Sequence, residues 1–159
     1  MSKKNTMEAE LIAPCGMNCA VCYAYLREKN RCPGCRTADS SNFVSIRKCI
    51  IRLCTSNIPI PNKFCYTCNK FPCQRLKNLD KRYRNKYGMS MLKNLMEIKN
   101  SGIEAFLKKE SIRWKCKECG AVICVHKNYC LNCHAERQIP VIPADKKNNL
   151  IKNKQLGSA

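Results

Sequence analysis

Five Cys-x-x-Cys pairs constrain this chain more than anything else in its sequence: Cys19/Cys22, Cys32/Cys35, Cys65/Cys68, Cys116/Cys119 and Cys130/Cys133. Two thiolates two residues apart on a tight turn can face one metal ion together, so the spacing is a coordination signal. The fifteen cysteines fall into three groups of five. Met1 to Glu10 is polar and lacks the apolar stretch of a secretory leader. No apolar run approaches the roughly 20 residues of a membrane-spanning helix. The expected location is the cytoplasm, where thiols stay reduced and paired cysteines read as metal ligands rather than disulfides. The odd cysteine total points the same way, since a secreted disulfide scaffold normally carries an even count.

The C-terminal group gives the clearest site. Cys116-Lys117-Glu118-Cys119, ten residues beginning with Gly120, and then Cys130-Leu131-Asn132-Cys133 form a zinc-ribbon spacing. Gly120 supplies the unusual backbone angle needed just after the second ligand. Trp114, Val122, Ile123 and Val125 suit short strands between the two knuckles. Cys124, His126 and His134 are supernumerary; packing and local hydrogen bonding explain them better than ligation. Tetrahedral iron uses the same four thiolates as zinc.

The N-terminal region holds ten cysteines, enough for two more four-ligand sites. Proximity groups Cys19, Cys22, Cys32 and Cys35 in one. The other draws on Cys49, Cys65, Cys68 and either Cys54 or Cys73, and Cys15 can replace a member of the first set. About three zinc ions are therefore expected, with iron or an iron–sulfur cluster as the alternative. Cys15-x3-Cys19-x2-Cys22 resembles the cluster motif of radical SAM enzymes. Val21 stands where those enzymes favour an aromatic residue, and the chain shows no run of βα units. Cys32-Pro33-Gly34-Cys35 looks like a redox dithiol, but the scaffold that would depress its thiol pKa is missing.

Between these regions the period is helical. Leu76, Leu79, Tyr83 and Tyr87 form one stripe ended by Gly88. Ser90 reads as the N-cap of a second helix over Met91, Leu92, Leu95, Met96 and Ile98, with Gly102 as its stop. A third buries Ile103, Phe106 and Leu107. Helical patterning also covers Cys19 to Lys29 and Phe43 to Cys54, the latter capped by Ser41 or Asn42 and broken off by Pro59 and Pro61. The expected fold class is a small metal-stabilised α+β protein. It comprises a cysteine-rich module over 11–73, helices over 74–112, a zinc ribbon with short antiparallel strands over 113–139, and a mobile tail over 140–159.

The formal charge is +19, but it is spread evenly. Residues 1–73, 74–112 and 113–159 carry nets of +7, +6 and +6. Each four-thiolate zinc site also adds two negative charges, so three would lower the total to about +13. The best nucleic-acid surface is the helix carrying Arg75, Lys77, Lys81, Arg82, Arg84 and Lys86, with Tyr83 and Tyr87 interleaved.

The whole pattern resembles an uncharacterised cysteine-rich family of bacteria and archaea, a domain of unknown function. The stretches that carry the likeness are Ile12 to Cys19, Cys32 to Cys35, Phe64-Cys65 through Phe71-Pro72-Cys73, Asp80 to Met91, and Arg113 to Cys133. The resemblance implies metal binding and supplies no catalytic residue. The expected role is a binding or adaptor module whose zinc sites are mainly structural and whose partner is a protein or nucleic acid. An iron–sulfur or redox protein is the alternative. No catalytic or cofactor-binding residue, small-molecule substrate or membrane association is expected. A hydrolytic zinc enzyme would need an open coordination position and a general base, for which two histidines and few acids are a poor supply.

Overall fold

Isolated cysteine knuckles cannot bury much apolar surface, so something else must supply the core. In the computed structural model, which describes residues 7–36, 48–54 and 63–139, three amphipathic helices do so. A four-residue helix α1 (Tyr23–Leu26) lies in the N-terminal region. The longer ones are α2 (Gln74–Tyr87), α3 (Met91–Ser101) and α4 (Ile103–Arg113). Their boundaries follow local chemistry. Ser90 Oγ accepts from the Lys93 amide at the start of α3, satisfying one of the orphan donors there. Gly88 ends α2 in the left-handed region at φ 66°.

Leu76, Met91, Leu95, Ile98, Phe106 and Leu107 from these helices share one buried cluster with Leu11, Ile12, Met17 and Val21. The N-terminal cysteine loops are thus draped on the helices. One turn makes the junction. Ile12 bridges to Asn18, and the Ala13 amide donates to Met17 O at 2.8 Å, so Pro14, Cys15 and Gly16 form a tight reversal. Gly16 sits at φ +88°, where a Cβ would lie 2.8 Å from Met91 O and 2.9 Å from Leu95 Cγ. Gly16→Ala is therefore expected to cost about 2–3 kcal/mol through left-handed strain and overpacking, read as a lower midpoint in urea unfolding.

Buried polar groups fix how these parts meet. Asp80 Oδ1 accepts from Ser90 Oγ at 2.6 Å and from the Leu92 amide at 3.1 Å, while Oδ2 accepts from Arg84 Nε at 2.8 Å. That locks α2 onto the start of α3. Asn94 Nδ2 donates to Gly16 O at 2.9 Å. Glu110 Oε2 accepts from Asn18 Nδ2 at 3.0 Å and from Trp114 Nε1 at 2.8 Å, and Oε1 from Arg113 at 3.1 Å. Asn18, Asp80, Ser90, Asn94 and Glu110 are nearly inaccessible, a state polar groups tolerate only when hydrogen-bonded.

The α+β expectation is overturned. The described residues are mostly helical or turn and contain no strand, only the isolated bridges Ile12–Asn18, Lys115–Val122 and Tyr129–Glu136. The expected zinc ribbon with short antiparallel strands over 113–139 therefore fails. Val122 and Ile123 pair across the first knuckle only through the single Lys115–Val122 bridge and the Ile123 amide donating to Trp114 O at 2.7 Å, too short a run to make a strand. Val125 turns away, its amide donating to Val21 O at 2.8 Å in the N-terminal 3-10 turn. Cys19–Val21 is a single 3-10 turn preceding α1, so the helical pattern of Cys19 to Lys29 is realised only in part. Residues 48–54 run as turns; the rest of the helix expected from Phe43, with its Ser41 or Asn42 cap, lies outside the described residues. So do Pro59, Pro61 and the tail over 140–159.

Candidate metal centre

The C-terminal cysteines come together through a local device used twice. In the first knuckle the Gly120 amide donates to Cys116 O at 2.9 Å, and the Cys116 amide to Ala121 O at 2.8 Å. In the second, the His134 amide donates to Cys130 O at 3.0 Å and the Cys130 amide to Ala135 O at 2.8 Å. The bridges Lys115–Val122 and Tyr129–Glu136 close the two turns at equivalent places. Gly120 and His134 both lie in the left-handed region, at φ 75° and 62°. Every one of these positions recurs after fourteen residues, so the segment is a tandem pair of knuckles. Histidine tolerates the angle that glycine takes in the first copy.

The result is one cluster. The Sγ atoms of Cys116, Cys119, Cys130 and Cys133 all lie within 4.8 Å of one another, with Cys116–Cys133 at 3.7 Å and Cys119–Cys130 at 3.6 Å. A tetrahedral ion with bonds of about 2.3 Å sets sulfur–sulfur edges of about 3.8 Å. These four residues can therefore hold a metal ion. Cys116 and Cys130 are buried while Cys119 and Cys133 are exposed, so the centre sits at the surface with its inner half in protein. The Asn132 side chain and the Ala121 amide pull the Cys119 thiol down, while Cys133, against the Ala135 amide, is raised by desolvation and by its sulfur neighbours; sulfurs this close do not all carry charge without a cation between them.

The knuckles are anchored by a residue the sequence did not single out. Arg137 donates to the carbonyls of Cys124 (3.2 Å), Val125 (2.9 Å), Lys127 (3.3 Å) and, across on α2, Tyr87 (2.9 Å). Its guanidinium carbon lies 4.7 Å from the centre of the Trp114 ring. An arginine just after a cysteine knuckle carries no pattern of its own; only the fold brings four carbonyls to it.

The three supernumerary residues make contacts outside the sulfur cluster, and those of His126 reach far along the chain rather than being local. Cys124 is fully buried and outside the cluster. His126 Nδ1 accepts from the Tyr23 amide at 3.2 Å, which places its proton on Nε2, 2.9 Å from Tyr83 Oη. Burial, then the charges of Arg137 and Lys127, lower its pKa and keep it neutral. His134 stacks on Tyr129 with centroids 5.9 Å apart.

The N-terminal thiols are shaped by burial and by one another's charge. Interaction with Cys19, together with burial, holds the Cys35 thiol well above the usual value. Burial raises the Cys22 thiol, with smaller contributions from Cys35 and Cys32. Cys15 is buried, and its thiol is raised chiefly by desolvation, with smaller contributions from Cys35, Cys65 and Cys49. The Cys65 amide donates to Pro14 O at 2.9 Å, which brings the two cysteine groups together. Arg36 runs among them, donating to Ile12 O and Lys63 O and stacking 4.7 Å over Phe64. Cys65, Cys68 and Cys73 line one cavity together with Cys54, and Cys49 is not among its lining residues. No other three candidate ligand atoms among the described residues close to within 4.8 Å.

Residues 11–78 match the model of a family described as a protein of unknown function, DUF3795. The match supports an uncharacterised family for the cysteine-rich N-terminal part. It stops short of the knuckles, so the resemblance expected over Arg113 to Cys133 is not confirmed by it. No curated protein and no solved structure matches the chain.

The basic residues of α2 are spread around the helix rather than gathered. Arg84 is taken up by Asp80, Arg75 by the Ile50 carbonyl, and Arg82 lies over Tyr83 at 5.9 Å. Lys77, Lys81 and Lys86 are exposed. Tyr83 and Tyr87 turn inward, each edge-on to His126 at 5.6 and 4.9 Å, so they are not open to stack on bases. Among the described residues no helix is long and apolar enough to cross a membrane.

Proposed function

We propose that this chain is a zinc-stabilised binding module of the reducing cytoplasm, with Cys116, Cys119, Cys130 and Cys133 holding one structural zinc ion. The observation that carries the reading is the closure of four sulfurs to single-ion spacing. Four thiolates complete a tetrahedron and leave no position for water or substrate, which separates structural from catalytic zinc. His126, committed to Tyr23 and Tyr83, is not placed to act as a base there. The proposed contact face is the groove of about 1140 Å³ between α3 and the knuckles. Lys93, Arg113, Lys115 and Lys117 on its walls outnumber Glu118 and Glu136, which favours an acidic protein partner.

The metal assignment is tested by elemental analysis of the purified chain against the double variant Cys119→Ser/Cys133→Ser, which removes the two exposed ligands. The variant should contain one zinc ion fewer per chain. Equal zinc in both proteins, or iron in place of the lost ion, sinks the zinc assignment.

A further inference from the structure

A second group of thiols is arranged differently from the knuckles. Cys54, Cys65, Cys68 and Cys73 line a cavity of about 30 Å³, walled by Ile51, Phe71 and Leu76. Three separate segments supply these sulfurs: the turn over 48–54, the 3-10 turn Cys65–Thr67 and its end, and the residue preceding α2. Convergence of four cysteines from three places on one small space is not a by-product of a Cys-x-x-Cys turn. Yet no three of them approach within 4.8 Å of one another, as the knuckle sulfurs do in the same molecule. One ion would need edges of about 3.8 Å throughout. A polynuclear core does not, because its thiolates are shared among different irons and stand around inorganic sulfide.

Two features supply the charge such a core requires. Four thiolates around an iron–sulfur core leave it anionic. Cys73 is the N-cap of the fourteen-residue α2, and its side chain makes no capping hydrogen bond, so its sulfur sits at the positive end of a helix. Arg75 also borders this cavity, and its exposed guanidinium, donating to the Ile50 carbonyl at 3.4 Å, adds a positive charge nearby. The apolar walls limit water around the sulfurs. We infer that Cys54, Cys65, Cys68 and Cys73 bind an iron–sulfur cluster, a site distinct from the zinc knuckles. Binding is ligation alone: each thiol gives its proton to solvent as its sulfur takes an iron of the assembled cluster.

The test uses the full chain, made without oxygen and, in parallel, reconstituted with iron, sulfide and a thiol reductant. The expected product is brown, with iron and acid-labile sulfide in equal amounts, two or four of each per chain according to cluster type. Cys73→Ser should lose the sulfide and the visible charge-transfer absorption while retaining knuckle zinc. Cys119→Ser/Cys133→Ser should do the reverse, so the two sites fail independently. Colourless wild-type protein without labile sulfide by either route overturns the inference, whatever the variants do. So does loss of the cluster in Cys15→Ser with full retention in Cys73→Ser, which would place it among the other N-terminal thiols.

Discussion

Replacing Cys130 with serine is expected to abolish metal binding by the knuckles and to unfold residues 114–137. Structural zinc in small cysteine sites contributes on the order of 10 kcal/mol at neutral pH, comparable to the whole stability of a typical domain. Cys130 is the buried cysteine of the second knuckle, and its amide and carbonyl both serve the turn, so a change there reaches beyond the sulfur cluster. The chain contains one tryptophan, Trp114, which is buried between Glu110 and Arg137. Its fluorescence should shift to the red in Cys130→Ser, and equally when the wild-type protein is treated with a chelator. Cys124→Ser alters a buried cysteine outside the cluster and should keep both zinc and the blue-shifted emission. Unchanged Trp114 emission in a zinc-free Cys130→Ser variant would show that the metal does not hold this segment.

Glu110→Ala is expected to be the most damaging substitution away from the cysteines, costing about 3–5 kcal/mol. It leaves Asn18, Trp114 and Arg113 without their common acceptor, and uncompensated buried donors are expensive. Glu110→Gln keeps the shape but turns an amide towards donors, so about 1–3 kcal/mol should be lost. The pH dependence has a defined sign. Burial is the largest influence on Glu110 and raises its pKa, against the hydrogen bond from Asn18 and the charge of Arg113. The folded state therefore holds this proton more tightly than the unfolded one. The corresponding stabilisation is present at acid pH and is lost as pH rises from the ordinary carboxylate value through the raised one. Relative to Glu110→Gln, the wild-type chain should lose stability with rising pH across that window. Knuckle protonation affects both proteins and cancels in the comparison; parallel curves would contradict the shift.

What the sequence reveals here is what depends on neighbours in the chain. The three long helices, the Ser90 cap and the glycine stops follow from periodicity and local hydrogen bonding, and the knuckle ligands follow from Cys-x-x-Cys spacing. The strand expectation fails because apolar β-formers such as Val122, Ile123 and Val125 do not say how far a pairing extends: here it stops at one bridge with Lys115, and the Val125 amide goes to Val21 O. The fourteen-residue knuckle repeat was available as a signal, since Cys116, Cys119, Ala121 recur as Cys130, Cys133, Ala135. Asp80 was also legible in principle. It falls on the helical stripe of Leu76, Tyr83 and Tyr87, where an acid must be buried with partners. Glu110 occupies the same kind of position after Phe106 and Leu107. Arg137 and Asn18 carry no such mark, because their partners lie far away in sequence. Spacing does group Cys65 and Cys68 with Cys54 or Cys73, but that Cys54 and Cys73 line one cavity together with them is set by the fold.

X-ray absorption at the zinc edge of the purified chain addresses the metal centre most directly. Four sulfur neighbours at about 2.3 Å, lost in Cys119→Ser/Cys133→Ser, are the expected result for the knuckles. Nitrogen or oxygen in the shell, or the same zinc spectrum and intensity in that variant, would mean that these four cysteines do not form a closed zinc site.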